Sequence, residues 1–173
     1  MTVLPDVLQR GLVTVFCGSA ASPTSARLGA YYARPGNRFW PALHQAGFTE
    51  RELAPAEFPR LPEYGIGLTD LAKHEWGVDT ALSSDAYDAD ALHEKILRFA
   101  PKLLAFTGKR PAGLFLLQKF GAGLGDYGEQ EPVVGDTRIF VLPSPSGAAR
   151  RWWSLEPWTR LAQLHNELKR GEG

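Results

Sequence analysis

The chain has 173 residues, 44% of them hydrophobic and 22% charged, with 19 basic and 19 acidic side chains, a composition that excludes a disordered or fibrous protein and fits one folded core over residues 1–173. Its one cysteine, Cys17, leaves no internal disulfide or cysteine-ligated cluster, and the four histidines are scattered, so a metal site is not expected. The apolar run Leu12 to Cys17 is too short to span a bilayer and no signal-peptide pattern is visible, which points to a cytoplasmic protein, nucleoid-associated in a bacterial source, with no membrane partner.

Leu12 to Cys17 is apolar and β-branched and runs into Gly18, the pattern of a buried strand entering a loop. Residues 19–33 read as loop with at most a short helix. Arg38 to Ala46 is predicted as a helix, capped by Asn37 and stopped by Gly47, with Pro41 in its first turn. Tyr64 to Leu71 reads either as a short strand or as an irregular loop, because Gly65 and Gly67 interrupt it. Residues 88–99 carry apolar side chains at helical spacing ahead of Pro101. Leu103–Thr107 is then a second buried strand, Pro111–Phe120 a helix, Arg138–Leu142 a third strand and Leu155–Leu168 the closing helix. Asp126, Glu129, Glu131 and Asp136 read as solvated loop charge.

Strands that alternate with helices predict an α/β fold, a three-layer α/β/α sandwich around a mainly parallel sheet. In such sheets ligands bind where the carboxyl ends of the strands open. Two of those ends run into unusual loops, Gly18–Pro23 and Pro143–Gly147, which makes these the candidate site. Zero net charge argues against nucleic acid, but its distribution does not. Residues 7–49 hold Arg10, Arg27, Arg34 and Arg38 without an acid, and residues 137–155 hold Arg138, Arg150 and Arg151 without one. Two basic segments of this kind can form one positive face.

Three segments in order, VFCGSAASPTSARLGAYYARPGNRFW, YGIGLTDL and VLPSPSGAAR, resemble the mismatch-specific uracil/thymine-DNA glycosylases of the uracil-DNA glycosylase superfamily. The resemblance covers most of the chain and implies a monomeric, cofactor-free DNA glycosylase of base excision repair. Such an enzyme flips uracil or another deaminated base out of DNA and hydrolyses its N-glycosidic bond. Extrusion requires a pocket, an aromatic platform, phosphate clamps and a wedge. The resemblance puts Gly18, Tyr32 and Asn37 around the base, with Tyr32 stacking on it. Ser144 and Ser146 would lie against the DNA backbone, with Gly147, Ala148, Arg150 and Arg151 at the helix or its phosphates. From spacing alone Tyr31 or Tyr32 is equally a packing residue, the lesser alternative for the Pro143–Gly147 segment is a simple surface turn, and the tryptophans read as core or core rim.

The first motif departs from the family pattern. Where relatives carry G-I-N-P-G, with an asparagine that positions the hydrolytic water, this chain has Gly18–Ser19–Ala20–Ala21–Ser22. A methyl group cannot orient water, and the proline–serine loop also lacks the superfamily's histidine. Asp70 is the polar group that can take over, with Ser19 assisting. A carboxylate there would orient water and stabilise an oxocarbenium-like transition state. Two other roles stay open to it: acceptor for the uracil N3–H, or cap of a helix beginning at Leu71–Ala72–Lys73. A non-catalytic lesion-binding module and a nucleoside hydrolase are the competing functions.

Overall fold

A computed structural model of the chain describes residues 2–74, 76 and 87–171. Five strands, β1 (Thr14–Gly18), β2 (Ile66–Asp70), β3 (Leu103–Phe106), β4 (Gly128–Val134) and β5 (Thr137–Val141), form one sheet in the order β2-β1-β3-β5-β4. All neighbours pair parallel except β4 with β5. The helices are α1 (Pro23–Leu28), α2 (Phe39–Ala46), α3 (Ala89–Phe99), α4 (Lys109–Phe120) and α5 (Glu156–Lys169), joined by 3-10 segments at Pro55–Tyr64 and Gly147–Trp152.

The central strands are buried on both faces, and their side chains alternate between two cores. Val13, Phe16, Leu103, Ala105 and Phe140 pack with α2, α5 and the 3-10 segment Pro55–Tyr64; Val15, Cys17, Leu104, Phe106 and Ile139 pack with α3 and α4. Helices on both faces of a mainly parallel sheet make the expected three-layer α/β/α sandwich. The first core is aromatic: Phe16 lies stacked on Trp158 at 5.7 Å and meets Phe39 and Phe48 edge-on at 5.4 and 5.3 Å. In the same core His165 is fully buried, its Nδ1 2.7 Å from Thr14 Oγ1 and its Nε2 3.0 Å from the Tyr64 carbonyl. That histidine is scaffold.

Residues 66–70 are a strand, which resolves the ambiguity at Tyr64–Leu71. Their glycine has a local reason. The N-terminal segment pairs antiparallel with β2 at Val7 and Leu68, so closely that a Cβ on Gly67 would lie 2.5 Å from the Val7 carbonyl oxygen and 2.7 Å from Leu12 Cδ1. Strand β4 corrects the reading of Glu129 and Glu131 as loop charge, while Asp126 and Asp136 lie outside it. Its Gly-Glu-Gln-Glu-Pro-Val-Val sequence hides a strand because charge and a proline are tolerated at a sheet edge, and the register slips between Glu129 and Val133, around Pro132. Glu129 is a strand residue whose carboxylate receives both Nε and Nη2 of Arg138 at 2.8 Å. Arg138 is therefore spoken for, and it sits near the amino end of β5, away from the other basic loops.

Gly67→Ala should lower stability by about 1–3 kcal/mol, the usual cost of forcing atoms into a filled site, seen as a lower urea midpoint. A midpoint equal to that of the parent would mean that the N-terminal segment yields freely.

Candidate active site

The chain leaves β1 to form β2 on one side of it and returns to form β3 on the other. The strand order therefore reverses between β1 and β3, the place where an open α/β sheet leaves a crevice at its carboxyl edge. Gly18 ends β1 there and Thr107 follows β3, with its amide bonded to the Cys17 carbonyl at 3.0 Å. A methyl group built on Gly18 would lie 3.0 Å from Asp70 Oδ1, 3.1 Å from Tyr32 Oη and 3.4 Å from Thr107 Oγ1. Three oxygens from three separate segments thus converge on the bare face of one glycine.

Asp70 ends β2, paired in register with Gly18. It is only 6% exposed, and no donor reaches its carboxylate among the described residues. Burial pushes its acid range up from 3.8 to about 6; Lys73 and Lys95 hold it down and Asp6 adds to the rise. Such a group is costly to bury and is a mark of functional sites. Residues 71–74 are not helical, so the capping role considered for Asp70 is excluded: it is a strand residue and has no helix to cap.

Tyr32 is half-buried and adopts the left-handed backbone conformation, φ 52°, which is rare for a bulky side chain. Its ring lies flat on Phe39, with centroids 3.9 Å apart and planes 16° from parallel, and its hydroxyl is 3.0 Å from Thr107 Oγ1. Tyr31 points the other way into the core, where its hydroxyl donates to the Pro5 carbonyl at 2.8 Å. Thr107 is the residue that sequence reasoning passed over. It looked like the last residue of an apolar strand, and only a threonine closing such a run at the sheet's carboxyl edge could have pointed to it.

The remaining candidates are spread around this centre. Ser19 and Ala20 are half-buried in the loop after β1, and the Ser19 carbonyl accepts the Ala72 amide at 2.7 Å. Asn37 Oδ1 accepts the Phe39 amide at 2.9 Å, but the N-cap of α2 falls one residue later, on Arg38, without a side-chain cap bond, which corrects the cap expected at Asn37. The two basic loops meet where the Arg38 amide donates to the Pro145 carbonyl at 2.8 Å. Ser144 Oγ accepts the Ser146 amide at 3.2 Å and Ser146 Oγ accepts the Ala148 amide at 3.3 Å, which stiffens the entry to the 3-10 segment. Gly147, Ala148, Arg150 and Arg151 are exposed there. Trp158 is core and Trp153 half-buried, but Trp152 departs from the core reading at 61% exposure, with the Arg151 guanidinium 5.4 Å from the centre of its ring.

The model of the Uracil DNA glycosylase superfamily matches residues 5–166. The chain belongs to that superfamily. A solution NMR structure of a candidate uracil DNA glycosylase from Methanosarcina acetivorans is similar over 94% of this chain and 96% of its own, with 26% identity and a TM-score of 0.63. Superfamily membership gives the crevice between β1 and β3 its chemical context, and with the neighbour it supports a DNA glycosylase role and DNA as the partner.

Asp70 and His165 set opposite pH dependences. Asp70 binds its proton more readily folded than unfolded, so it adds stability as pH falls from about 6 to 3.8. Burial lowers His165 from 6.5 to about 4, so it removes stability as pH falls through that interval. Each amounts to about 3 kcal/mol at most, and the two nearly cancel. Asp70→Asn should raise the unfolding free energy at pH 7 by about 1–3 kcal/mol and expose a steep loss of stability on acidification. Urea unfolding at pH 7 and at pH 5 reads both effects; a variant less stable than the parent at pH 7 would show that the carboxylate is not costly where it sits.

Proposed function

We propose that the chain is a monofunctional DNA glycosylase, close to the mismatch-specific uracil/thymine group, that excises uracil from DNA with Asp70 as the base for the attacking water. The observation that carries this reading is the buried carboxylate of Asp70, without a donor among the described residues, beside Gly18 at the crevice of a superfamily member. Asp70 takes a proton from water as the water oxygen bonds to the anomeric carbon. The bond between that carbon and the base nitrogen breaks, and its electron pair leaves on the uracil anion, which is then protonated. A base whose acid range lies near 6 is ionised at neutral pH and still basic enough to accept that proton. The same negative charge stabilises the oxocarbenium character of the sugar.

Tyr32, backed by Phe39, supports a role as the platform on which the flipped base stacks, each such contact being worth about 1–3 kcal/mol. Exposed Arg150 and Arg151 suit the phosphates or the unpaired partner base. The subgroup likeness rests on PGNRFW, YGIG and VLPSPSG, and the departure at Ala20 favours a second reading, in which a superfamily member binds lesions without cutting them.

Release of free uracil from a uracil-containing oligonucleotide, set beside release from deoxyuridine, decides among glycosylase, binding module and nucleoside hydrolase. Asp70→Asn should keep binding the oligonucleotide while base release slows by about 10²–10⁴-fold; near-normal turnover would remove Asp70 from catalysis. Arg150→Ala should weaken DNA binding and lower the slope of log K against log salt by about one unit, and an unchanged slope would mean that Arg150 touches no phosphate.

A further inference from the structure

Behind Asp70 lies a set of charges, one buried and two half-buried, that the proposed chemistry does not itself use. Lys73, three residues beyond Asp70, is only 7% exposed. Its ammonium donates to Tyr31 Oη at 3.0 Å and meets Asp6 Oδ1, also at 3.0 Å. Asp6 Oδ2 receives Lys95 of α3 at 2.7 Å, and the hydroxyl of Thr69 donates to Asp6 Oδ1 at 2.6 Å. The Lys73 carbonyl accepts the Val3 amide at 2.8 Å. The N-terminal segment is thereby tied to the end of β2, to α3 and to the Tyr31–Tyr32 turn through one lysine.

The charges count evenly. Lys73 and Lys95 are balanced by Asp6 and Asp70 only when Asp70 is ionised; without Lys73, two carboxylates would share one ammonium. The other titratable groups that feel the charge of Asp70 are Cys17, Tyr31 and Tyr32. Burial first and the charge of Asp70 second push all three upward, so they stay neutral and offer no countercharge. A buried lysine fully engaged by an acid and a tyrosine is also more than a closed sheet end needs, because an apolar residue would fill the space without losing hydration.

We propose that Lys73 is a positioning residue for base excision: held by Asp6 and Tyr31, its ammonium supplies the countercharge that keeps the Asp70 carboxylate ionised. The proposal rests on Asp70 being the base for water. Lys73 does not touch the substrate. It acts through the field at Asp70, where an opposite charge favours the ionised form.

Single-turnover uracil release from a uracil-containing oligonucleotide, followed between about pH 5 and pH 9, tests it with Lys73→Met, Lys73→Arg and Lys95→Met. In Lys73→Met the acid limb of the rate profile should move up by about one unit, so that release falls about five-fold at pH 6 and approaches the parent rate at pH 8. Lys73→Arg should leave the limb near its parental position, and Lys95→Met should move it up by less. A folded Lys73→Met whose limb is unmoved, or whose rate falls equally at every pH, overturns the proposal. If Lys73→Met does not fold, Lys95→Met decides in the same way: an upward limb supports the field effect and an unmoved limb overturns it. A parent with no acid limb, or an Asp70→Asn variant of normal rate, would instead sink the reading of Asp70 itself, and the role of Lys73 with it.

Discussion

Gly18 has no side chain, and three oxygens occupy the room that one would need. Asp70 Oδ1, Tyr32 Oη and Thr107 Oγ1 all lie within 3.4 Å of where its Cβ would be, yet they come from β2, from the turn before α2 and from the end of β3. Only the sheet topology brings them together. With β2 and β3 on opposite sides of β1, the carboxyl end of β1 becomes the one point that both neighbours flank, and a side chain there would separate the groups. The strained backbone of Tyr32 belongs to the same constraint. Its left-handed turn is held from one side by the ring of Phe39 and from the other by the hydroxyl of Thr107.

This arrangement sets stability against function. The Asp70 carboxylate is enclosed without a donor among the described residues, so its charge is opposed by burial and relieved only at a distance, by ammonium groups it does not touch. The molecule is built to carry that burden. A double-sided core of aromatic and branched residues fixes β1 and β3 on both faces, and the N-terminal segment closes over β2 so tightly that Gly67 has no room for a methyl group. A rigid sheet edge is what allows an unfavourable group to persist in one place.

The layered fold was legible because its main signals are local: β-branched apolar runs ending in glycine or proline, and helical spacing between them. Strand β4 was not, since an edge strand needs no apolar run and Pro132 masks it further. The Pro55–Tyr64 segment was equally hidden, because Pro59 and Pro62 argue against an α-helix and a 3-10 segment leaves no periodic trace. At the site, Asp70 stood out through the resemblance, as the carboxylate of the YGIGLTDL segment. Thr107 and the Asp6–Lys73–Lys95 network did not, because their meaning lies in contacts between residues as far as 90 positions apart. Arg138 illustrates the reverse error: a basic residue in a basic stretch of sequence turned out to be paired across strands.

Under the proposed function, the altered first motif and the charge network behind β2 are two aspects of one change. An asparagine in the loop after β1 is neutral at every pH and asks nothing of its surroundings beyond hydrogen bonds. A carboxylate ending β2 approaches the same crevice from the neighbouring strand, and in a buried place it is useful as a base only while ionised. Enclosure excludes the bulk water that would otherwise stabilise that charge. Moving the activating group from Ala20's loop to Asp70 therefore demands a fixed positive charge close by. That charge must itself be held, or it would turn outward to solvent; Asp6 and Tyr31 hold it, and Lys95 in turn balances Asp6. On the proposed mechanism the sequence Thr69–Asp70–Leu71–Ala72–Lys73 is a unit, in which the residue that would take the proton and the residue that would keep it free to do so are set three positions apart.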